Sequence, residues 1–353
     1  MGEPRECSGV MDAGASARPR AAGARDGAEP GPYLPPAWLR NAHVQSVLGS
    51  SPLRQRRGAR ELDALGVRSW LHEVDGGGGV RLHGVHTVRP GVGARGLAVL
   101  LHGWEGSAES GYMRLTAAAL LRAGFEVFRL NFRDHGDTHH LNEAIFHSCR
   151  IDEVVHAVGE VARTVARGPV HLAGYSLGGN FALRVALRAP RAGFEVAHVA
   201  AVCPVLDPAR TMEAMERGLP LYLWYFERKW RRSLARKRAL FPHAHRFDED
   251  VLRQRMRALT AWMVERYTDF GTLERYFDGY CIARDRLAGL QAPASVLMAE
   301  DDPVIPVGDF RDLRLPAHAR LDITRWGGHC AFLENARLDG YAEKWVTARL
   351  AST

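Results

Sequence analysis

Gly174-Tyr175-Ser176-Leu177-Gly178-Gly179 follows an apolar run at residues 170–173 (VHLA) and precedes residues 181–189, whose apolar positions recur at three and four spacing. A serine between glycines at a strand-to-helix turn reads as a nucleophile elbow. The turn forces strained backbone on the serine, and a side chain at either flanking position meets the adjoining strand or helix. The helix start then aims free N–H groups at charge developing on an attacked carbonyl. With 13 Ser and 36 Gly in 353 residues, composition alone gives about 0.13 matches to Gly-x-Ser-x-Gly, so the pattern by itself is weak. Its place between strand and helix makes it informative.

Outward from this turn, short apolar runs recur at residues 97–101 (LAVLL), 125–130 (FEVFRL), 196–202 (VAHVAAV), 294–299 (ASVLMA) and 321–326 (LDITRW). Stretches of helical periodicity separate most of them, residues 112–123 and 151–166 among others. Such alternation predicts an α/β fold, a mostly parallel central sheet flanked by helices. Ahead of it, residues 67–74 and 80–88, joined by Gly76-Gly77-Gly78-Gly79, predict a hairpin. The alternation breaks once, where about ninety aromatic-rich, basic residues separate the sixth strand from the seventh. We read them as a helical cap inserted after strand 6. The chain then divides into a flexible tail at residues 1–32, an N-terminal arm at 33–60, a core in two parts at 61–206 and 291–353, and the cap at 207–290.

A serine hydroxyl needs a base, and the base needs a group to orient it. Gly327-Gly328-His329 follows the run at 321–326, and Asp302 follows the run at 294–299. Each stands just past the C-terminal end of a strand, where the sites of parallel sheets gather. Ser176, Asp302, His329 is the chain order of an α/β-hydrolase triad, unlike the orders of the chymotrypsin and subtilisin folds. We expect Ser176 as nucleophile, His329 as base and Asp302 as orienting acid, with Gly174 and Gly178 as the glycines of the elbow. Asp301 and Asp207 compete for the acid role. Pro303 favours Asp302 by holding it extended, and Asp207 otherwise caps a helix. Leu101-His102-Gly103-Trp104-Glu105-Gly106 follows the first core strand, so oxyanion-hole N–H groups are expected from Leu177 and Trp104. His102 reads as a residue that holds this loop by hydrogen bonds. Residues 131–140 (NFRDHGDTHH) carry three histidines and two aspartates, but His135, Asp137 and His139 match no recognised ligand spacing. A polar rim explains them equally well, and neither metal nor cofactor is expected.

Composition sets further bounds. At 46% hydrophobic and 25% charged, the chain is globular over most of its length. Its net charge of +7 is local: residues 33–60 hold five bases and no acid, residues 207–290 seventeen bases against twelve acids, and residues 61–206 balance at fourteen each. Residues 228–238 (RKWRRSLARKR) carry seven positive charges behind Tyr222, Trp224, Tyr225 and Phe226. Two readings of residues 219–238 stay open, a solvated helix face or an interfacial helix in peripheral contact with a membrane. Nucleic acid is not expected. Cys7, Cys149, Cys203, Cys281 and Cys330 form no CxxC pair and are odd in number, which indicates neither a disulfide framework nor a zinc knuckle. The first thirty residues lack an apolar h-region, and Glu6 stands where a myristoylation signal wants Ser or Thr. No apolar run approaches the roughly 20 residues of a membrane span. A cytoplasmic protein in a reducing compartment is the expectation, and the oligomeric state stays open.

The elbow, acid and histidine together resemble the α/β-hydrolase superfamily. Residues 38–46 (WLRNAHVQS), residues 102–114 (HGWEGSAESGYMR), Asn131-Phe132-Arg133 and residues 276–280 (YFDGY) are similar, more narrowly, to its YheT-like branch, the AB hydrolase 4 type. The resemblance runs from about residue 35 to about residue 345. It implies a serine hydrolase acting on carboxylic esters through Ser176, Asp302 and His329. The implied substrate is a small-molecule or lipid-like ester of short to medium acyl chain, and no cofactor is implied. Some relatives make esters by acyl transfer to an alcohol, so that alternative stays open, beside an idle hydrolase-fold binding protein. Two departures stand out: Ser46 replaces the branch's usual threonine, and residues 134–140 are richer in His and Asp than usual.

Overall fold

Side chains that are buried at every position of a strand require cover on both faces, and four strands of this protein have that property. They are β3 (Leu97–Leu101), β5 (Val170–Tyr175), β6 (His198–Val202) and β7 (Ala294–Ala299). The computed structural model describes residues 31–352. The expected flexible tail falls almost wholly on residues 1–30, outside the described residues. Among the described residues these four strands join β1 (Arg68–Asp75), β2 (Arg81–Val88), β4 (Glu126–Leu130) and β8 (Ala319–Thr324) in one sheet of order β1-β2-β4-β3-β5-β6-β7-β8. β1 pairs antiparallel with β2, and β2 with β4; every other pairing is parallel. The mostly parallel α/β fold expected from the sequence is therefore present. The glycine turn also forms, with Val80 N–H donating to Gly77 O and Asp75 opposite Arg81.

Helices α3 (Gly111–Arg122) and α11 (Tyr341–Ala351) pack together on one side of the sheet, with α2 (Pro52–Ala64) against α3. On the other side α4 (Ile151–Thr164) packs on α5 (Leu177–Arg188). Helix α5 starts four residues earlier than its apolar periodicity indicated, because the elbow leads straight from β5 into the first turn. The edge strand β8 is shifted two residues back from the expected 321–326. The boundary drawn at residue 60 falls inside α2, which continues through the arm to Ala64. Ahead of it α1 (Ala42–Gly49) is capped by Asn41, whose side chain accepts from the N–H groups of His43 and Val44.

Between β6 and β7 lie α6 (Pro208–Arg217), α7 (Pro220–Leu240), α8 (Glu249–Arg253), α9 (Met256–Tyr267) and α10 (Leu273–Asp278). The basic run lies on α7, and most of its charges are spoken for within the chain. Lys237 is buried, its Nζ 2.6 Å from Asp134 Oδ1 and 2.9 Å from His139 O. Lys229 donates to Glu105 O at 2.5 Å, Arg231 pairs with Glu227, Arg236 with Asp137 and Arg238 with Glu249. The contacts of Lys229, Arg236 and Lys237 tie the inserted helices to the loops after β3 and β4. No described helix is long and apolar enough to cross a membrane.

Candidate active site

Four loops meet at the C-terminal ends of the central strands. The sharpest is the elbow. Ser176 takes φ 54° and ψ −121°, outside the ordinary regions for a residue with a side chain. Its N–H donates to Val202 O at 2.9 Å, and its carbonyl accepts from Gly179 and Asn180, so the strain is locked on both sides. A Cβ on Gly174 would stand 2.1 Å from Gly178 O, and one on Gly178 would stand 2.2 Å from Leu101 O. Both positions therefore require glycine on contact grounds alone.

His329 Nε2 lies 3.0 Å from Ser176 Oγ, and His329 Nδ1 lies 2.9 Å from Asp302 Oδ2. The second Asp302 oxygen accepts from the N–H groups of Val304 and Ile305 at 2.8 and 3.0 Å. The structure thus brings together the three residues singled out in the sequence. The two competing carboxylates are engaged elsewhere: Asp207 caps α6 through the N–H groups of Ala209 and Arg210, and Asp301 accepts from Gly328 N–H at 2.9 Å. Burial works against charging His329, but the Asp302 carboxylate, followed by the adjacent Cys330 sulfur, outweighs it and holds the ring well above the usual imidazole value. Burial pushes the Cys330 thiol up, but the contact with Cys203 and the charge on His329 more than offset this and hold it below the usual thiol value.

Among the described residues, neither Leu177 N–H nor Trp104 N–H has an acceptor within the protein. Leu177 is the first residue of α5 and Trp104 belongs to the loop after β3. His102 is completely buried in that loop. Its Nδ1 donates to Gly103 O at 2.8 Å and its Nε2 accepts from Phe132 N–H at 3.2 Å, which fixes the neutral ring and stitches two loops together. In the loop after β4, His135 Nδ1 donates to Arg133 O, His139 Nε2 pairs with Ser233 Oγ, and Asp137 reaches Arg236. These side chains point to different partners rather than to one centre.

Residues of the N-terminal arm, which the sequence flagged without a role, support the histidine loop. Ser46 Oγ donates to Ala42 O and accepts from His329 N–H at 2.8 Å. Fully buried Gln45 accepts from Leu333 N–H at 2.7 Å and donates to Tyr33 Oη and Leu39 O. His43 Nδ1 is 2.9 Å from Tyr222 Oη, which connects the arm to α7. No local signal assigns these partners, since nearly 290 positions separate Gln45 from Leu333.

Two clefts meet at Ser176. One is apolar, encloses about 770 Å³ of atom-free space partly open to solvent, and runs beneath the inserted helices, bordered by Met212, Met215, Met256, Met263 and Phe277. The other is polar and holds Lys229, Arg232, His329 and Cys330. Trp104 and Phe226 stack at 5.4 Å between them and border both.

The family model for the alpha/beta hydrolase fold matches residues 98–336. "Putative esterase YheT" of Escherichia coli (strain K12) is 25% identical over 264 residues, covering 71% of this chain and 74% of the relative. Among solved structures, the Pyrococcus furiosus esterase Pf2001 superposes with a TM-score of 0.54 at 15% identity, over 82% of this chain and 91% of that one. A Pyrobaculum calidifontis esterase gives 0.52 at 16% identity, over 90% and 97%. At these identities the structural likeness speaks for the fold alone. The chain belongs to the alpha/beta hydrolase fold family and, within it, is YheT-like.

Proposed function

We propose that the protein hydrolyses carboxylic esters through an acyl-enzyme on Ser176. The observation that carries this reading is the chain of two short contacts, Ser176 Oγ to His329 Nε2 at 3.0 Å and His329 Nδ1 to Asp302 at 2.9 Å. His329 takes the Ser176 proton as the oxygen attacks the ester carbonyl, and Asp302 holds the ring and offsets the charge it gains. The free N–H groups of Leu177 and Trp104 then hold the oxyanion, one of them at the positive end of α5. His329 returns its proton to the leaving alcohol, and water enters through the polar cleft to release the acid by the same route in reverse. That open polar side favours water over a second alcohol as the acyl acceptor. The inserted helices act as a cap, and their apolar cleft takes the acyl chain of a short to medium ester, each buried methylene contributing about 0.8 kcal/mol.

A series of p-nitrophenyl esters tests this. The parent protein is expected to turn them over with a maximum at medium chain length, and Ser176→Ala to be inactive. Turnover retained in Ser176→Ala, or none by the parent on any ester, contradicts it.

A second reading concerns location of the substrate. At the start of α7, Leu219, Leu221 and Trp224 are exposed, the last at 51%. Beside them Tyr225 and Phe226 border the polar cleft. This apolar edge rests on a membrane surface and lets a lipid-like ester pass to Ser176.

A further inference from the structure

Cys203 is the first residue past β6, and Cys330 sits past β8 next to His329. Parallel pairing of β6 with β7 and of β7 with β8 carries both to the same end of the sheet. Each has left-handed backbone, φ 43° and 61°, which is uncommon outside glycine. The two sulfurs and a ring nitrogen of His329 all lie within 4.8 Å of one another, and Cys330 Sγ is 3.9 Å from His329 Nε2. Neither thiol is bridged. Cys203 is completely buried behind the group, whereas Cys330 and His329 border the polar cleft and can be reached from it.

Two sulfurs and an imidazole are a soft donor set, of the kind that selects zinc over magnesium or calcium. With Zn–S about 2.3 Å and Zn–N about 2.0 Å, tetrahedral neighbours stand about 3.4–3.8 Å apart. Side-chain shifts of roughly half an ångström would close the Cys330 and His329 pair on an ion. Asp302, already accepting from Nδ1 of the same ring, supplies the carboxylate that orients a ligating histidine. We propose that Cys203, Cys330 and His329 form an inhibitory site for a thiophilic divalent cation of the Zn2+ type. On binding, both sulfurs ligate as thiolates and Nε2 as a neutral donor, whatever protons the three groups carry pass to solvent, and the ion takes the Nε2 lone pair that otherwise accepts from Ser176 Oγ–H. The fourth position faces the cleft and holds water. Inhibition rests on His329 being the base of the proposed hydrolysis, but the metal site itself does not.

Untagged full-length protein, kept reduced, is titrated with CoCl2 and separately with ZnCl2. Co2+ is expected to bind stoichiometrically with thiolate-to-cobalt charge-transfer absorption in the near ultraviolet, which Cys330→Ser and Cys203→Ala each diminish. ZnCl2 is expected to displace that band and to stop ester turnover until a chelator is added. Cys330→Ser, compared with its own uninhibited rate, is expected to require at least about tenfold more Zn2+ than the parent for the same fractional inhibition. Absence of the thiolate band, or equal Zn2+ inhibition of the parent and both cysteine variants, overturns the proposal. A cobalt band in a protein with no turnover at all upholds the site and overturns the hydrolase reading instead.

Discussion

Asp302 uses both carboxylate oxygens, one on the imidazole and one on two backbone N–H groups, so it is fixed before any substrate arrives. As the proposed base, His329 acts only when neutral, and kcat/KM is therefore expected to rise with pH through the histidine's own value. Because that value is held well above 6.5, the acid limb of the profile is expected above pH 6.5. Asp302→Asn removes the main raising influence. It is expected to move the limb to lower pH and to cut kcat by about 10⁴-fold with folding retained, as read from a pH–rate profile. At Ser46 the effect is indirect, since its hydroxyl only positions the histidine loop. Ser46→Ala is expected to lower kcat about two- to tenfold with KM little changed, and Ser46→Thr to restore it. Ser176, Asp302 and His329 were legible in the sequence because each follows an apolar run. Ser46, Gln45 and Cys203 were not, because what they do depends on partners distant in the chain.

At the scale of elements, α7 shows how a composition signal changes meaning on folding. Its seven-charge run left open a solvated helix face or an interfacial helix, yet Lys237 lies buried on Asp134 and three arginines of the run pair with carboxylates. Breaking the buried pair by Lys237→Ala is expected to cost about 3–5 kcal/mol, read by chemical denaturation. Arg236→Ala, at an exposed pair, is expected to stay within about 1 kcal/mol of the parent. The cleft beneath α6 and α9 gives a functional test. Met263→Trp fills it and is expected to move the preferred ester to a shorter acyl chain, seen as a shift in the maximum of kcat/KM. Strands β3 and β7 were legible to the residue because their apolar runs have sharp ends. The start of α5 was not, since Leu177 to Asn180 are mostly glycine and polar, and only the elbow's geometry commits them to helix.

Taken whole, the molecule gathers residues from the arm, the sheet and the inserted helices around one end of the central strands. The fold was readable because alternation of buried strands and helices leaves few other architectures. How the arm reaches the histidine loop was not, because that depends on tertiary contacts with no local pattern. The apolar edge at Leu219, Leu221 and Trp224 predicts binding to lipid vesicles that survives high salt and is weakened in Leu221→Ser with Trp224→Ser, measured by co-sedimentation. Binding abolished by salt alone, and indifferent to those substitutions, would assign the contact to charge instead. In the proposed hydrolysis Ser176 is a nucleophile activated by His329 and Asp302. A fluorophosphonate probe, which reacts with activated serines, tests it most directly when the labelled residue is located by peptide mass spectrometry. One label is expected on Ser176, absent from Ser176→Ala and strongly slowed in His329→Ala; a label on another serine, or a folded parent protein that takes none, would show that Ser176 is not an activated nucleophile.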